Sequence, residues 1–406
     1  MPNKFLNRIH KNDLKILLLT DGIPPFIMGG MQRHSFNLAK YFTFAGVDIT
    51  LVHCVQMKEC IETSIPSEIK VNEFLFGKES SVRLESICLQ FPAPGKLPGH
   101  YIRNSYRYSE LVYEKIKSRL NEFDFIYAKG FSAWKLLKEK KLGLKCPPVG
   151  IKFHGYEMYQ TAANLKMKLE HFMLRPAVKW NTLNADVVFS YGGKITDIIK
   201  SLRVSKDKII EASSGVDENI IPDPLEINVN LPLKFCFVGR YERRKGVEEL
   251  TEAIHIMLKM SLEFEFHFVG PIPLPQQILN DKVIYYGAKS DQQDVIEILD
   301  QCDVLVCPSF SEGMPNVILE AMSRGLAIVA TDVGAVGLMV DEKNGVLLKS
   351  CSTNVICESL VDIMNFEPKI IKNWKRESLK KITTSFTWDK ISEKLINETI
   401  RLSRNK

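Results

Sequence analysis

PSFSEGMPNVILEAMSRGLAIVATDVGAVGLMV, residues Pro308 to Val340, decides how this chain folds. The apolar run just before it, Val304–Cys307, predicts a buried parallel strand. A polar loop carrying Glu312 and Gly313 follows. Pro315 suits a first helical residue, where its missing N–H is an orphan anyway. The helix is expected to run to about Arg324, with Gly325 closing it in the left-handed conformation, and Ala327–Ala330 begins the next strand. Such a strand–loop–helix–strand unit carries its loop at the C-terminal end of the strand, where open α/β sheets bind ligands.

Two carboxylates lift this unit above an ordinary one. Glu312 precedes the helix and Glu320 lies inside it. Glu320 falls among Val317, Ile318, Leu319, Ala321 and Met322, too apolar a setting for a carboxylate without a partner. A vicinal diol such as a ribose is a good partner, because it offers two donors to one carboxylate. Glu312, Gly313 and the N–H groups of Met314 and Asn316, with Pro315 between them, stand at a helix N-terminus that can meet hydroxyls and phosphate oxygens. The plainer reading is a surface glutamate plus a helix glutamate bridged to a neighbour, and an isolated pair of glutamates favours it.

The whole string changes that balance. S-E-G-M-P-N-V-I-L-E-A-M followed by G-L-A-I-V-A-T-D-V-G resembles the signature of the retaining glycosyltransferases of family 4, glycosyl transferases group 1, which adopt the GT-B fold. The similarity is dense over this stretch and thinner along the rest of the chain. It implies an α/β architecture of two doubly wound Rossmann-like domains facing an interdomain cleft. The first would take the acceptor and the second the nucleotide-sugar.

Length and composition agree with that. The chain has 406 residues, 45% hydrophobic and 25% charged, enough for two domains with separate cores. No apolar run approaches membrane-spanning length, and the N-terminus has no apolar signal region, so the expectation is a cytoplasmic protein. Nine cysteines are scattered without a C-x-x-C pair, which fits a reducing compartment. Residues 1–222 hold 32 Lys+Arg against 22 Asp+Glu, and the remainder 22 against 26. A basic first half points to an anionic partner, either the inner face of the plasma membrane, a lipid-linked diphosphate or nucleic acid, or else to a solvated face.

In chain order, the strand Lys15–Thr20 leads to Gly29–Gly30 before a helix over Met31–Phe44. A glycine pair there lets backbone N–H groups approach a ligand, and the resemblance places it near the donor phosphates. No G-x-G-x-x-G is present, so a dinucleotide-dependent dehydrogenase is disfavoured. Asp48–Cys54 predicts the next strand, and residues 56–100, with Pro66, Pro92, Pro94 and Pro98, predict short strands and loops. His100–Leu120 is a helical pattern mixing tyrosines with Arg103, Arg107, Lys115, Lys117 and Arg119. It suits a membrane interface, or an ordinary surface helix with its tyrosines inward. Phe123–Tyr127 predicts a strand, Lys129–Gly130 the loop after it, and Ala133–Lys140 a helix.

Val149–Phe153 predicts a strand that delivers His154. A lone histidine is usually structural, but the resemblance makes His154, and less securely Glu157, a neighbour of the transferred sugar. After the strand Val187–Ser190, S-S-G-V-D at Ser213–Asp217 resembles the family's turn closing the first domain. Pro222, Pro224 and Pro232 mark a linker.

The strand Phe235–Val238 delivers Gly239 and Arg240, with Lys245 just before a helix from about Gly246. Arg240 and Lys245 match the family's pattern and would neutralise a leaving diphosphate; Arg243 and Arg244 are expected at the surface. The strands Glu265–Val269 and Val283–Tyr286 end at Gly270 and Gly287, whose loops could receive a nucleobase. Asn344–Gly345 predicts a hairpin turn. Phe386–Leu395 resembles the family's helix that crosses back to the first domain.

The expected boundaries are therefore 1–222, 223–385, and a helix over about 386–406 returning to the first domain. One departure is that Leu338 stands where the family often has an acidic residue.

The resemblance thus implies retaining glycosyl transfer. The catalytic set would be His154, Glu312, Arg240 and Lys245. The donor would also contact Gly29, Gly30, Gly270, Gly287, Gly313, Met314, Pro315, Asn316 and Glu320. The expected partners are a nucleotide-sugar, with UDP favoured over GDP, a saccharide or lipid-linked acceptor, and an anionic membrane in peripheral contact. No metal, cofactor or nucleic acid is expected. The rivals are a sugar-nucleotide epimerase, a phosphorylase, or a non-catalytic scaffold of the same fold.

Overall fold

The computed structural model describes residues 14–55, 71, 83–93, 95, 99–222, 226–289 and 291–404. Most of the irregular stretch anticipated over 56–100, the N-terminal thirteen residues and Pro224 lie outside them. Buried apolar runs form the strands. β1 (Lys15–Leu19), β2 (Asp48–Val55), β3 (Leu84–Gln90), β4 (Phe125–Lys129), β5 (Val149–Lys152), β6 (Val187–Ser190) and β7 (Ile209–Glu211) make one sheet. β8 (Leu233–Val238), β9 (Phe264–Val269), β10 (Val283–Tyr285), β11 (Val304–Cys307), β12 (Ala327–Thr331) and β13 (Gly345–Leu348) make a second. Their orders are β3-β2-β1-β4-β5-β6-β7 and β10-β9-β8-β11-β12-β13. Every strand pairing in both is parallel.

Parallel sheets need helical crossovers. The first has α1 (Gly30–Phe44), α2 (His100–Ile116), α3 (Trp134–Lys141), α4 (Leu165–Asn184) and α5 (Lys194–Ser201). The second has α6 (Val247–Lys259), α7 (Gln292–Leu299), α8 (Asn316–Ser323), α9 (Thr353–Met364) and α10 (Pro368–Ser385). The order reverses between β1 and β4 in one sheet and between β8 and β11 in the other. Open α/β sheets bind ligands at the carboxyl ends beside such a switch. The loops leaving these four strands hold most of the residues singled out above.

Several local expectations are corrected. Asn344–Gly345 makes no hairpin, because β13 runs parallel to β12 with Gly345 as its first residue. The asparagine instead ties its own turn, donating from Nδ2 to the Met339 carbonyl (3.1 Å). The glycine is needed because a Cβ there would lie 1.8 Å from the Ile328 carbonyl oxygen. Pro315 precedes α8 in an extended conformation rather than starting it. β4 runs two residues later than expected, so Lys129 belongs to the strand and is buried.

The chain returns to the first sheet at its end. Val216 N donates to the Phe386 carbonyl (2.9 Å) and Trp388 N to the Val216 carbonyl (3.0 Å). This delivers α11 (Trp388–Arg404) onto α1. Trp388 is fully buried, stacked on Tyr41 with ring centroids 6.0 Å apart and edge-on to His34 at 5.0 Å. Trp388→Ala is expected to cost about 3–5 kcal/mol. Chemical denaturation followed by circular dichroism measures it, and a loss under 1 kcal/mol would show that α11 docks without this anchor.

Candidate active site

The organising loop is built to touch the other domain. A Cβ on Gly313 would sit 2.1 Å from the His154 carbonyl oxygen, so only glycine allows the two backbones to meet. Gln160 clamps the contact. Its Nε2 donates to the carbonyls of Glu312 and Gly155, both at 2.6 Å, while its Oε1 accepts from Glu312 N at 3.3 Å. Ala335 N donates to the Gly313 carbonyl at 2.8 Å. Ser214 adds two bonds, from its N to Met314 Sδ (3.1 Å) and from its Oγ to Asn316 Oδ1 (3.0 Å).

The Glu312 side chain turns back into its own domain. It accepts from Lys245 Nζ at 2.6 Å and Ser309 Oγ at 2.8 Å, and its other oxygen lies 3.5 Å from Arg244 Nη1. Burial pushes the Glu312 pKa up, but Lys245 and Arg244 outweigh it and hold the group below the ordinary carboxylate value. Arg244 is therefore not the surface residue expected. The turn at Arg243–Lys245 points it inward, toward Glu312 and, at 3.9 Å, toward Glu157 of the first domain. Its Nη1 is buried without a hydrogen-bond partner. Arg243, also expected at the surface, is held by Glu249 and lies over the Phe310 ring.

Arg240 is not drawn into this cluster directly. Its side chain is 66% exposed and pairs with Glu242 at 2.9 Å. Glu242 also accepts from Arg244 Nε at 2.9 Å. The result is an alternating chain, Arg240–Glu242–Arg244–Glu312–Lys245. Gly270 and Gly287 meet each other, the Gly270 N donating to the Gly287 carbonyl at 2.8 Å. Gly239 joins them by donating to the Val269 carbonyl at 2.9 Å.

Across the cleft, α1 faces α8. Gly30 lies beside the Asn316 side chain, with Gly29 preceding it, and Arg33 reaches Glu320 at 3.4 Å. Glu320 lines a cleft of about 260 Å³ with Arg33, Lys40, Asp217 and Asn316. Burial raises the Glu320 pKa, with Arg33 opposing it. Leu338, in the place of the family's acidic residue, packs against Gly192 and Gly193.

His154 sits between two partners. Tyr191 OH is 2.7 Å from its Nδ1 and Lys129 Nζ is 3.5 Å from its Nε2. The same amine is 2.6 Å from His34 Nδ1. Lys152 donates to the Ala212 carbonyl at 2.6 Å and lies 3.8 Å over the Tyr191 ring. Burial brings Lys129 down to about 7, against the pull of Asp21. It lowers both histidines as well, and the two lysines push the same way. Sequence reasoning missed Lys129, Lys152 and His34. The one available signal was that Lys129 and Lys152 end neighbouring strands, Lys129 on β4 at the switch point and Lys152 on β5 next to it. Among the described residues, no group of three His, Cys, Asp or Glu is arranged to hold a metal ion.

Residues 232–365, which include Arg240, Lys245, Glu312 and Glu320, match the family model described as Glycosyl transferases group 1. The match falls within the second domain and covers about a third of the chain. It is 26% identical over 298 residues to an uncharacterised glycosyltransferase of Methanocaldococcus jannaschii, covering 71% of this chain and 77% of that one. It is 30% identical over 165 residues to the N,N'-diacetylbacillosaminyl-diphospho-undecaprenol alpha-1,3-N-acetylgalactosaminyltransferase of Campylobacter jejuni, covering 38% of this chain and 42% of that enzyme. The Anabaena protein HepE, solved with UDP and glucose, superposes with a TM-score of 0.63 at 16% identity over 96% of this chain and 99% of that one. The fold of this glycosyltransferase is GT-B.

The raised Glu320 pKa has a stability consequence. A folded state that holds its proton more firmly loses stability as pH rises from the ordinary carboxylate value to the raised one. Glu320→Gln removes that loss. It should leave stability near wild type at pH 4.5 and raise it at pH 8, read by thermal melts. A variant less stable than wild type at pH 8 would mean that Arg33 fully compensates the buried charge.

Proposed function

We propose that this glycosyltransferase is a retaining, metal-independent enzyme of family 4. It transfers a sugar from a UDP-sugar to a saccharide or lipid-linked saccharide in the building of a polysaccharide or glycan. The observation that carries the reading is the convergence of Lys245 and Arg244 on Glu312, with a buried, unsatisfied Arg244 Nη1, at the carboxyl ends of the switch strands. A leaving diphosphate is the anion that would use both cations and the spare donor. Arg240 is one partner exchange away through Glu242. HepE was solved with UDP, and the name of the Campylobacter relative specifies a diphospho-undecaprenol acceptor. Both suggest the chemistry carried over here.

In this mechanism Glu320 takes the ribose hydroxyls in place of Arg33. The backbone of Gly29, Gly30 and Gly313 to Asn316 lies along the donor, and the loops at Gly270 and Gly287 take the base. Glu312 and His154 meet the sugar hydroxyls. The bond from the anomeric carbon to the phosphate oxygen breaks. The acceptor oxygen bonds to that carbon on the same face, and its proton passes to the departing phosphate. Lys245, Arg244 and Arg240 stabilise the charge developing on the phosphate, the largest catalytic term available to such a site. The first domain presents the acceptor, and the basic character of residues 1–222 fits an anionic, lipid-linked one.

Thermal unfolding across a panel of nucleotide-sugars tests the donor, since a ligand at 100 times its dissociation constant adds about 2.7 kcal/mol. Protection by UDP-sugars alone is expected. No protection by any nucleotide-sugar would remove the reading, and NMR of the product anomer decides retention. Arg240→Ala, Arg244→Ala and Lys245→Ala should each lower turnover by about 10²–10³. Because it is exposed, Arg240→Ala should do so without changing the melting temperature. Near wild-type turnover in the Lys245 variant would unseat the assignment of the diphosphate site.

A further inference from the structure

The outward face of α4 is apolar where a surface helix ordinarily turns polar side chains to water. Leu165, Leu169, Phe172 and Met173 are 83%, 63%, 68% and 37% exposed. Spaced at i, i+4, i+7 and i+8, they form one stripe, so they are not singly scattered surface residues. The inner face of the helix is already occupied, with Ala177, Val178, Asn181 and Thr182 buried. The stripe ends beside the start of α2, where Met173 Cε lies 3.5 Å from where a Cβ on Gly99 would be and Tyr101, two residues on, is 49% exposed. Among the described residues nothing covers it.

The rest of α2 does not supply such a face. Tyr108 is buried, Tyr106 is edge-on to Trp134 of α3 at 5.1 Å with Lys138 over its ring, and Lys135 approaches Tyr113.

Charge selects the occupant. Exposed Lys166, Lys168, Arg175 and Lys179 interleave with the stripe, against Glu170 alone on α4. A second copy docking through the same stripe would bring like charges together. Apolar residues among cations are the complement of an anionic bilayer surface, where the apolar side chains enter the acyl boundary and the lysines meet phosphates. The position also has a consequence for the reaction. Arg175 Nε donates to the Met158 carbonyl (2.8 Å) and Tyr159 OH to the Arg175 carbonyl (3.0 Å). This fastens α4 to the 155–160 segment whose Gln160 grips Glu312.

We propose that the Leu165–Leu169–Phe172–Met173 stripe of α4 seats the first domain on an anionic lipid surface, holding the cleft beside a membrane-borne acceptor. This rests on the lipid-linked acceptor proposed above, but vesicle binding is measured without turnover. The full chain is sedimented with phosphatidylcholine vesicles, with and without phosphatidylglycerol, at low and high salt. Binding is expected only with phosphatidylglycerol and is weakened by salt.

Leu169→Glu with Phe172→Glu should lower partitioning at least about tenfold, and Lys166→Gln or Lys168→Gln about fivefold each. Melting temperature and protection by UDP-sugar should not change, because none of these residues lies at the cleft. A wild-type chain that ignores anionic vesicles at low salt overturns the proposal, as does undiminished binding by the double variant. So does a wild-type dimer, seen by analytical ultracentrifugation, that the double variant splits while vesicles are ignored. Vesicle binding without UDP-sugar protection would instead spare this surface and count against the glycosyl-transfer reading.

Discussion

The structure depends on one close approach, the backbone of Glu312–Gly313 lying against that of His154–Gly155. With no side chain at position 313, the two domains meet at backbone distance. Gln160 then satisfies groups on both sides at once. That contact fixes how the two walls of the cleft face each other. It aligns the carboxyl end of β5 with the loop leaving β11 and brings α1 opposite α8. It also confines Glu312, a carboxylate in contact with Lys245, Ser309 and Arg244, to a space reached from both domains.

The two walls handle burial of charge in different ways. On the second-domain side, cations and carboxylates alternate from Arg240 to Lys245, so each buried charge has a counter-ion close by. Paired ions of this kind add little net stability, whereas removing one partner strands the other and is costly. On the first-domain side the cluster of Lys129, Lys152, His34 and His154 has no carboxylate in ion-pair contact among the described residues, Asp21 acting on Lys129 without such a contact. Burial lowers the pKa values instead, so that at neutral pH the imidazoles carry no charge. A neutral imidazole can accept or donate a hydrogen bond to a sugar hydroxyl without an ion to desolvate. The paired wall is the one suited to an anionic group.

Much of this was legible before any coordinates, for identifiable reasons. The span from Val304 to Thr331 carries local punctuation, with Gly325 adopting the left-handed conformation where the helix stops. Val187–Ser190 was bounded correctly because three apolar residues, Val187, Val188 and Phe189, follow shortly after the end of a helix. What escaped depended on long-range placement. Asn-Gly has the same local chemistry before a parallel strand as in a hairpin, and only the Ile328 carbonyl pressing on Gly345 distinguishes them. Among Arg240, Arg243, Arg244 and Lys245, a single turn over 243–245 decides which cations face the carboxylate. The His34–Lys129–His154 contacts join residues far apart in sequence. The chain alone gives no sign that they meet.

Sheet order explains why the site draws on so many separate segments. In each domain the crossovers run one way from the first strand and then reverse, leaving a gap between the helices above β1 and β4 and above β8 and β11. Loops at those four ends are the ones not covered by their own domain's helices. Their contents are Gly29–Gly30, Gly239 to Lys245, and Glu312, with Lys129 the last residue of β4. Facing the two gaps toward each other adds contacts across the cleft. Arg33 meets Glu320, Ser214 meets Asn316, and Arg244 is within ion-pair reach of Glu157. The cleft thus follows from two reversals of strand order set opposite one another, and the charges within it are arranged on that geometry.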